Sequence, residues 1–366
     1  MAGSSLGTMF KISTWGESHG KGVGVVVDGC PAGLPISEAY IQTYLNRRKP
    51  GQSKYSTPRK EDDHVEILSG VFEGYTTGTP ISMVVMNQTQ RSGDYSEIAN
   101  YYRPGHADYT FDSKYGFRDY RGGGRSSGRE TIARVAAGAI AMAILDSLNI
   151  HVNAYTQSIG PITIDRANLN LENIMQSPIY MPDLEASAKA ENFLVEKMAE
   201  CNSVGGIIEC VVKGMPAGVG ETVFDKLDAN LSKAIMSVGA VKGVEIGNGF
   251  ECATILGDEN NDALYYEDNT LSKETNHAGG ILGGMSDGTD IVLRAAVKPT
   301  PSIARTQHTV NKSNENIEIN IKGRHDPIIV PRAVVVIESM VALTLVDMLF
   351  QNMTSRLDKI QEFYKK

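Results

Sequence analysis

Chemistry in this chain is concentrated in a few short segments. The stretch RGGGRSSGRE at 121–130 runs three glycines into Arg125, Ser126 and Ser127, then into a long apolar segment. Glycines let backbone N–H groups approach a ligand closely. Hydroxyls and free N–H groups at a helix start can cap it or grip an anion. Arg125, Arg129 and Arg134 add rigid donors suited to phosphate or carboxylate. There is no lysine and no Gly-Lys-Ser/Thr, so the loop is not a nucleotide P-loop. It fits an anion site at the start of a buried helix, or a surface loop with an ordinary serine cap.

Three of the seven histidines fall in similar surroundings: His19 in GESHG, His106 in RPGHAD and His325 in GRHDP. Imidazole titrates near neutrality and can act as acid or base. Asp326 follows Arg324 and His325 and precedes Pro327. It reads either as a carboxylate held near an arginine and available as a base, or as a turn opener. Arg47, Arg48, Lys49, Lys54, Arg59 and Lys60 form a basic run with Gly and Pro, fitting a solvated loop or a lid over an anionic substrate. These residue types point to a small polyanion gripped by arginines beside acid–base histidines. No metal-ligand cluster, no Rossmann GxGxxG after a strand and no GxSxG nucleophile elbow is present.

Composition narrows the class. The 366 residues are 41% hydrophobic and 21% charged, with net charge −8. That is ample for a large core. An acidic balance gives no footprint for nucleic acid or an anionic membrane, so an anionic ligand must be held by local basic clusters. The four cysteines, Cys30, Cys201, Cys210 and Cys252, form no CxxC pair and fit reduced thiols. The N-terminal stretch lacks the apolar core of a signal peptide, and no run of 18 or more apolar residues suggests a membrane span. The expectation is a soluble, cytoplasmic protein.

The elements that must position these loops occur twice. GVVVDGCPAGLPISEAYIQTYL (24–45) matches ECVVKGMPAGVGETVFDKLDANL (209–231), GTPISMVVMN (78–87) matches GTDIVLRAAV (288–297), and RVAAGAIAMAILDSL (134–148) matches RAVVVIESMVALTLVDML (332–349). Three matches in the same order imply internal duplication within one pseudo-symmetric domain over 1–366, with pseudo-repeats at roughly 1–150 and 200–350. Apolar β-branched runs predict strands at 23–27, 65–72, 81–87, 207–213, 252–256, 290–297 and 317–323. Helices are predicted at 37–48, 129–148, 184–201, 222–237 and 331–362. The segments 129–148 and 332–349 are apolar on nearly every side and belong inside. The expected fold class is α+β, a β-α-β sandwich with central apolar helices between antiparallel sheets.

The ordered set MAGSSLGTMFKISTWGESHG, GRSSGRETIARVAAGAIA, AVKGVEIG (240–247), NHAGGILGG (276–284), KPTPS (298–302) and GRHDP (323–327) resembles the chorismate synthase family over nearly the whole chain. The resemblance implies a carbon–oxygen lyase of the shikimate pathway, which makes chorismate and phosphate from 5-enolpyruvylshikimate 3-phosphate by anti-1,4-elimination. It implies reduced FMN as cofactor, NADPH as a possible reductant, and a homotetramer. By the same resemblance His19 protonates the reduced flavin, His106 protonates the departing phosphate, and Asp326 helps remove the C6 hydrogen. Arg48, Arg103, Arg134 and Arg324 become substrate-side candidates, with Arg48 also matching an NADPH contact. The FMN positions are Arg125, Ser126, Ser127, Gly239, Ala240, Gly283, Lys298, Pro299, Thr300, Pro301, Ser302 and Arg324. Trp15, Lys54, Gly128 and Gly239 depart from the residues usual in the family. An ATP-dependent phosphotransferase and a non-catalytic flavin- or anion-binding protein are the competing readings.

Overall fold

The computed structural model describes residues 3–52, 55, 62–87, 97–268, 270–321 and 326–365. Arg324 and His325, and the lid candidates Lys54, Arg59 and Lys60, lie outside the described residues. The first half of the chain contributes β1 (Ser5–Leu6), β2 (Lys11–Gly16), β3 (Gly22–Asp28), α1 (Glu38–Arg48), β4 (Val65–Ile67), β5 (Val71–Phe72), β6 (Tyr75–Thr76), β7 (Ile81–Met86), α2 (Asp108–Tyr115) and α3 (Thr131–Ser147). Next come β8 (His151–Ile159), β9 (Ile162–Thr163), α4 (Leu184–Ala199), β10 (Gly206–Lys213), α5 (Leu227–Met236), β11 (Val241–Ile246), α6 (Gly257–Asn260), β12 (Leu264–Glu267) and β13 (Thr270–Lys273). The chain closes with β14 (Ile281–Leu282), β15 (Met285–Ser286), β16 (Ile291–Val297), β17 (Thr306–Val310), β18 (Asn316–Asn320), α7 (Val330–Asn352) and α8 (Leu357–Tyr364).

Two five-stranded antiparallel sheets enclose α3 and α7. One has the order β1-β2-β3-β7-β4 and the other, from its opposite edge, β9-β8-β10-β16-β11. These orders superimpose the matching segments: β3 on β10, β7 on β16, β4 on β11. The correspondence reaches single hydrogen bonds. In the first half Gly33 N–H donates to Thr76 O at 2.8 Å, and the Thr76 hydroxyl donates to Pro31 O at 2.6 Å. In the second half Gly218 N–H donates to Ser286 O at 2.7 Å, and the Ser286 hydroxyl donates to Pro216 O at 2.5 Å. Each Pro-Ala-Gly turn is thus tied to its own short hairpin by one hydroxyl.

The central helices form because Ala, Val, Ile and Leu fill their surfaces and no polar face competes for water. α3 lies on β3, and α7 lies on β8 and β10. The two helices touch at Gly138, where a Cβ would stand 2.3 Å from the Ser339 Cβ. Only a bare Cα permits that approach. α7 has the length and hydropathy of a membrane span, yet 83% of its most apolar window is buried in the protein. Asp347, near its end, accepts backbone N–H bonds from Thr8, Met9 and Phe10 at 2.7–3.0 Å, tying the helix to the start of the first sheet. α1 begins at Ser37, whose side chain accepts from Tyr40 N–H, and ends in Arg47 and Arg48.

Some elements differ from expectation. The run at 252–256 is not a strand: residues Gly249–Ala253 form a 3-10 turn. A short apolar run cannot by itself distinguish the two. The predicted helix 331–362 breaks after Asn352 and resumes at Leu357, where Thr354 and Ser355 bond to their own turn. α5 starts at Leu227 rather than 222, because Val223 has φ +63° and cannot be helical.

Candidate active site

α3 and α7 run parallel, so their N-termini meet at one end of the core. Arg48 joins them. Its Nη1 donates to Gly128 O at 3.1 Å and lies 3.4 Å from Thr131 Oγ1, at the start of α3. Its own carbonyl accepts from Arg332 Nε at 3.1 Å, at the start of α7. Two helix N-termini with their positive dipole ends therefore share a corner.

Three arginines and two carboxylates fill that corner. Asp63 accepts from Arg48 Nη2 at 2.8 Å and from Arg129 Nη1 at 2.9 Å, and Asp326 accepts from Arg332 Nη1 at 2.7 Å. Arg48 and Asp63 are only 2% and 3% exposed. Among the described residues of this group, three guanidinium groups face two carboxylates. Burial, then repulsion from Arg48 and Arg332, pushes the Arg129 guanidinium down to about 10. Arg332 is lowered too, by burial first, with Arg48 opposing and Asp326 supporting its charge. Such a cluster gains from a further anion.

The His19 turn borders the same cluster. Gly20 N–H closes the turn on Glu17 O at 3.2 Å. Asn87 clamps it, its Nδ2 donating to Glu17 O at 2.9 Å and Gly20 O at 2.8 Å, while its Oδ1 accepts from Arg129 Nε. His19 Nδ1 is 3.1 Å from Ser18 Oγ, and the ring lies against Gly122, where a Cβ would come within 2.1 Å of Nδ1. The glycine run is needed here because a side chain at 122 would displace the imidazole.

The rest of that loop is engaged with its own chain. Arg125 donates to Gly16 O at 3.1 Å, Thr14 O at 3.2 Å and Thr14 Oγ1 at 2.7 Å. Ser126 donates to Gly123 O at 2.7 Å, and Ser127 accepts from Arg129 N–H at 3.3 Å. Arg134 donates to Glu130 at 2.8 Å and to Ser237 Oγ at 2.6 Å, reaching the end of α5.

His106 stands in a second group. Its Nδ1 is 3.0 Å from Pro104 O and its Nε2 is 2.8 Å from Ser302 Oγ. A carbonyl only accepts, so Nδ1 carries the hydrogen and Nε2 accepts from the serine. Burial, then the Arg103 charge, pushes this imidazole down to about 4. Arg103 itself is held by Asp108 through Nε and Nη2, both at 2.8 Å. Lys298 Nζ donates to Gly105 O at 2.9 Å, and its backbone N–H to Ala240 O at 2.9 Å, which brings Gly239 and Ala240 alongside.

The groups connect. Ser203 Oγ donates to Thr300 O at 2.6 Å, and Val204 N–H donates to Pro327 O at 2.9 Å, beside Asp326. A continuous path thus runs from His19 through Asn87, Arg129, Asp63, Arg48, Arg332 and Asp326 to the 298–302 segment and His106. Gly283 stands apart: Gly284 O accepts from Leu227 N–H at the start of α5, a helix of ten residues and about 15 Å, with Ala240 past its far end. Asp63, Asn87 and Arg332 are not among the site residues the sequence suggests; Asn87 and Arg332 lie only at the ends of the repeated segments 78–87 and 332–349.

Fold and site together define an α+β enzyme with an anion-binding corner where two core helices begin. The family model described as chorismate synthase matches residues 10–350. The chain is 68% identical to the chorismate synthase of Lachnoclostridium phytofermentans over 100% of both sequences, and 56% identical to that of Methanosarcina acetivorans over 95% of this chain and 96% of the relative. A crystal structure of chorismate synthase superimposes with a TM-score of 0.77 at 29% identity, covering 98% of this chain and 96% of the other. The chain belongs to the chorismate synthase family, lyases of the shikimate pathway.

Proposed function

We propose that this enzyme converts 5-enolpyruvylshikimate 3-phosphate to chorismate and inorganic phosphate by anti-1,4-elimination, with reduced FMN bound beside the substrate. The observation that carries the reading is the single path of contacts joining His19, Asp326 and His106 through an arginine-rich corner. Elimination needs a leaving phosphate stabilised on one side and a hydrogen removed on the other. Arg48, Arg129 and Arg332 supply positive charge for the anion, and Arg332 holds Asp326 beside that charge. His106 is neutral without ligand. An approaching phosphate dianion raises its pKa, so Nε2 gains the proton that it then gives to the leaving oxygen. Ser302 and the Pro104 carbonyl keep that nitrogen oriented.

The residues fit a flavin phosphate. Arg48 Nε and Thr300 Oγ1 are buried without a hydrogen-bond partner among the described residues, and a Cβ at Gly239 would meet nothing within 4 Å. Lys298 to Ser302, Gly239 and Ala240 would hold the group from one side, and the 121–127 loop with His19 from the other. Reduced FMN supplies, when bound, an electron-rich ring that lends and recovers charge with no net oxidation. His19, with Nδ1 beside the Ser18 hydroxyl, holds a proton for that ring. We extend the reading to a single-domain cytoplasmic homotetramer. Arg48, turned inward on Asp63, supports anion binding more directly than an NADPH contact.

The test is anaerobic mixing of protein, reduced FMN and 5-enolpyruvylshikimate 3-phosphate. Equal yields of phosphate and chorismate are expected. Absence of both products overturns the assignment, and FMN binding without turnover favours a non-catalytic flavoprotein.

A further inference from the structure

We infer that Asn87 is a positioning residue for this reaction: one amide fixes the His19 turn and the Arg129 guanidinium relative to each other. The inference rests on the functional reading above. Asn87 follows β7, and its backbone N–H is held by Lys21 O at 2.9 Å, so the residue cannot drift from the β2–β3 turn. Its side chain spans the turn. Nδ2 gives one hydrogen to Glu17 O and the other to Gly20 O, at 2.9 and 2.8 Å, the first and last residues of the turn that carries His19. Oδ1 takes the Arg129 Nε hydrogen. Arg129 in turn reaches Asp63, and through it Arg48.

Only an amide does this. It offers two donors on one atom and an acceptor on the other. An aspartate could keep Arg129 but would set an oxygen against two carbonyl oxygens. A glutamine carries the same groups on a longer stem and would push either the turn or the arginine aside. The His19 ring already lies against Gly122 with no room for a Cβ. The turn therefore has little freedom once Asn87 is in place. A shift of about 1 Å in a catalytic group can cost on the order of a hundredfold in rate.

The experiment compares Asn87→Asp and Asn87→Ser with the native enzyme, measuring kcat, KM for 5-enolpyruvylshikimate 3-phosphate, thermal unfolding, and the His19 titration by NMR without ligand. Asn87→Asp is expected to lower kcat about a hundredfold and change KM less than about threefold. It should also raise the His19 pKa, because a carboxylate replaces the amide at the turn. Asn87→Ser, which keeps one donor, should lose less kcat than Asn87→Asp. Unchanged kcat in Asn87→Asp overturns the proposal, as does an unmoved His19 titration. If both variants lose stability and activity in parallel with native His19 titration, Asn87 is merely structural and the proposal also fails. Should the native enzyme itself give no chorismate, the functional reading fails, while the His19 titrations still decide whether Asn87 sets that turn.

Discussion

His106 should titrate far below an ordinary histidine. Burial is the main cause, the Arg103 charge adds to it, and Lys298 adds less, while the Pro104 carbonyl and Asp108 oppose them; the result is about 4 against 6.5. At 1.36 kcal/mol per unit the difference is about 3 kcal/mol. The folded pKa is depressed, so on acidification the unfolded chain binds this proton first. Stability from this group is complete above about pH 6.5 and is lost as pH falls towards about 4. Above that window His106 adds no pH dependence. The assay is an NMR titration of ring-labelled histidine, with the His106 signal assigned from His106→Gln. Ser302→Ala removes the O–H that stabilises the neutral ring at Nε2, so the His106 pKa should rise in that variant yet stay below 6.5, since burial and Arg103 are unchanged. Substrate should raise it further. Calorimetry at pH 6 in buffers of different ionisation enthalpy should then show uptake approaching one proton per site. A free-enzyme titration at or above 6.5 refutes the electrostatic account, and binding without proton uptake refutes the acid role.

Asp63→Asn leaves two buried guanidinium groups without their shared carboxylate and should cost about 3–5 kcal/mol, read from the urea midpoint; a loss under about 1 kcal/mol counts against a buried charge cluster. Gly138→Ala gains helix propensity of up to about 1 kcal/mol but sets its Cβ 2.3 Å from Ser339, so it should be net destabilising by roughly 1–2 kcal/mol. Ser339→Gly should cost less in that background than alone, and additivity in the double-mutant cycle would refute the contact. His106→Ala should still bind FMN and substrate while losing most turnover, measured by phosphate release; native turnover removes it from the chemistry.

The hydrophobic pattern by itself determined the layers. Ala- and Val-rich segments with no polar face can be satisfied only inside, and β-branched runs ending in Gly-x-Pro-Ala-Gly can only turn at the surface. The duplicated order of these segments was legible because each half must bury the same faces, and the matching sheet orders follow from it. Loop chemistry was legible as residue type: Gly122 to Gly124 allow close approach, and His19, His106 and Asp326 are groups able to carry protons. Partners were not. Arg125 and Ser126 look in sequence like ligand donors, and no spacing shows that in the fold they also bond to Thr14, Gly16 and Gly123. Gly283 belongs to a glycine-rich motif, yet a ten-residue helix separates it from Ala240. Asp63, Asn87 and Arg332 have no chemical signature in the sequence. They matter because two parallel helices bring distant chain segments to one corner, where a low dielectric makes every charge depend on its neighbours. Sequence spacing specifies which groups are available. Only the packing of α1, α3 and α7 decides which of them meet, and with what charge left over.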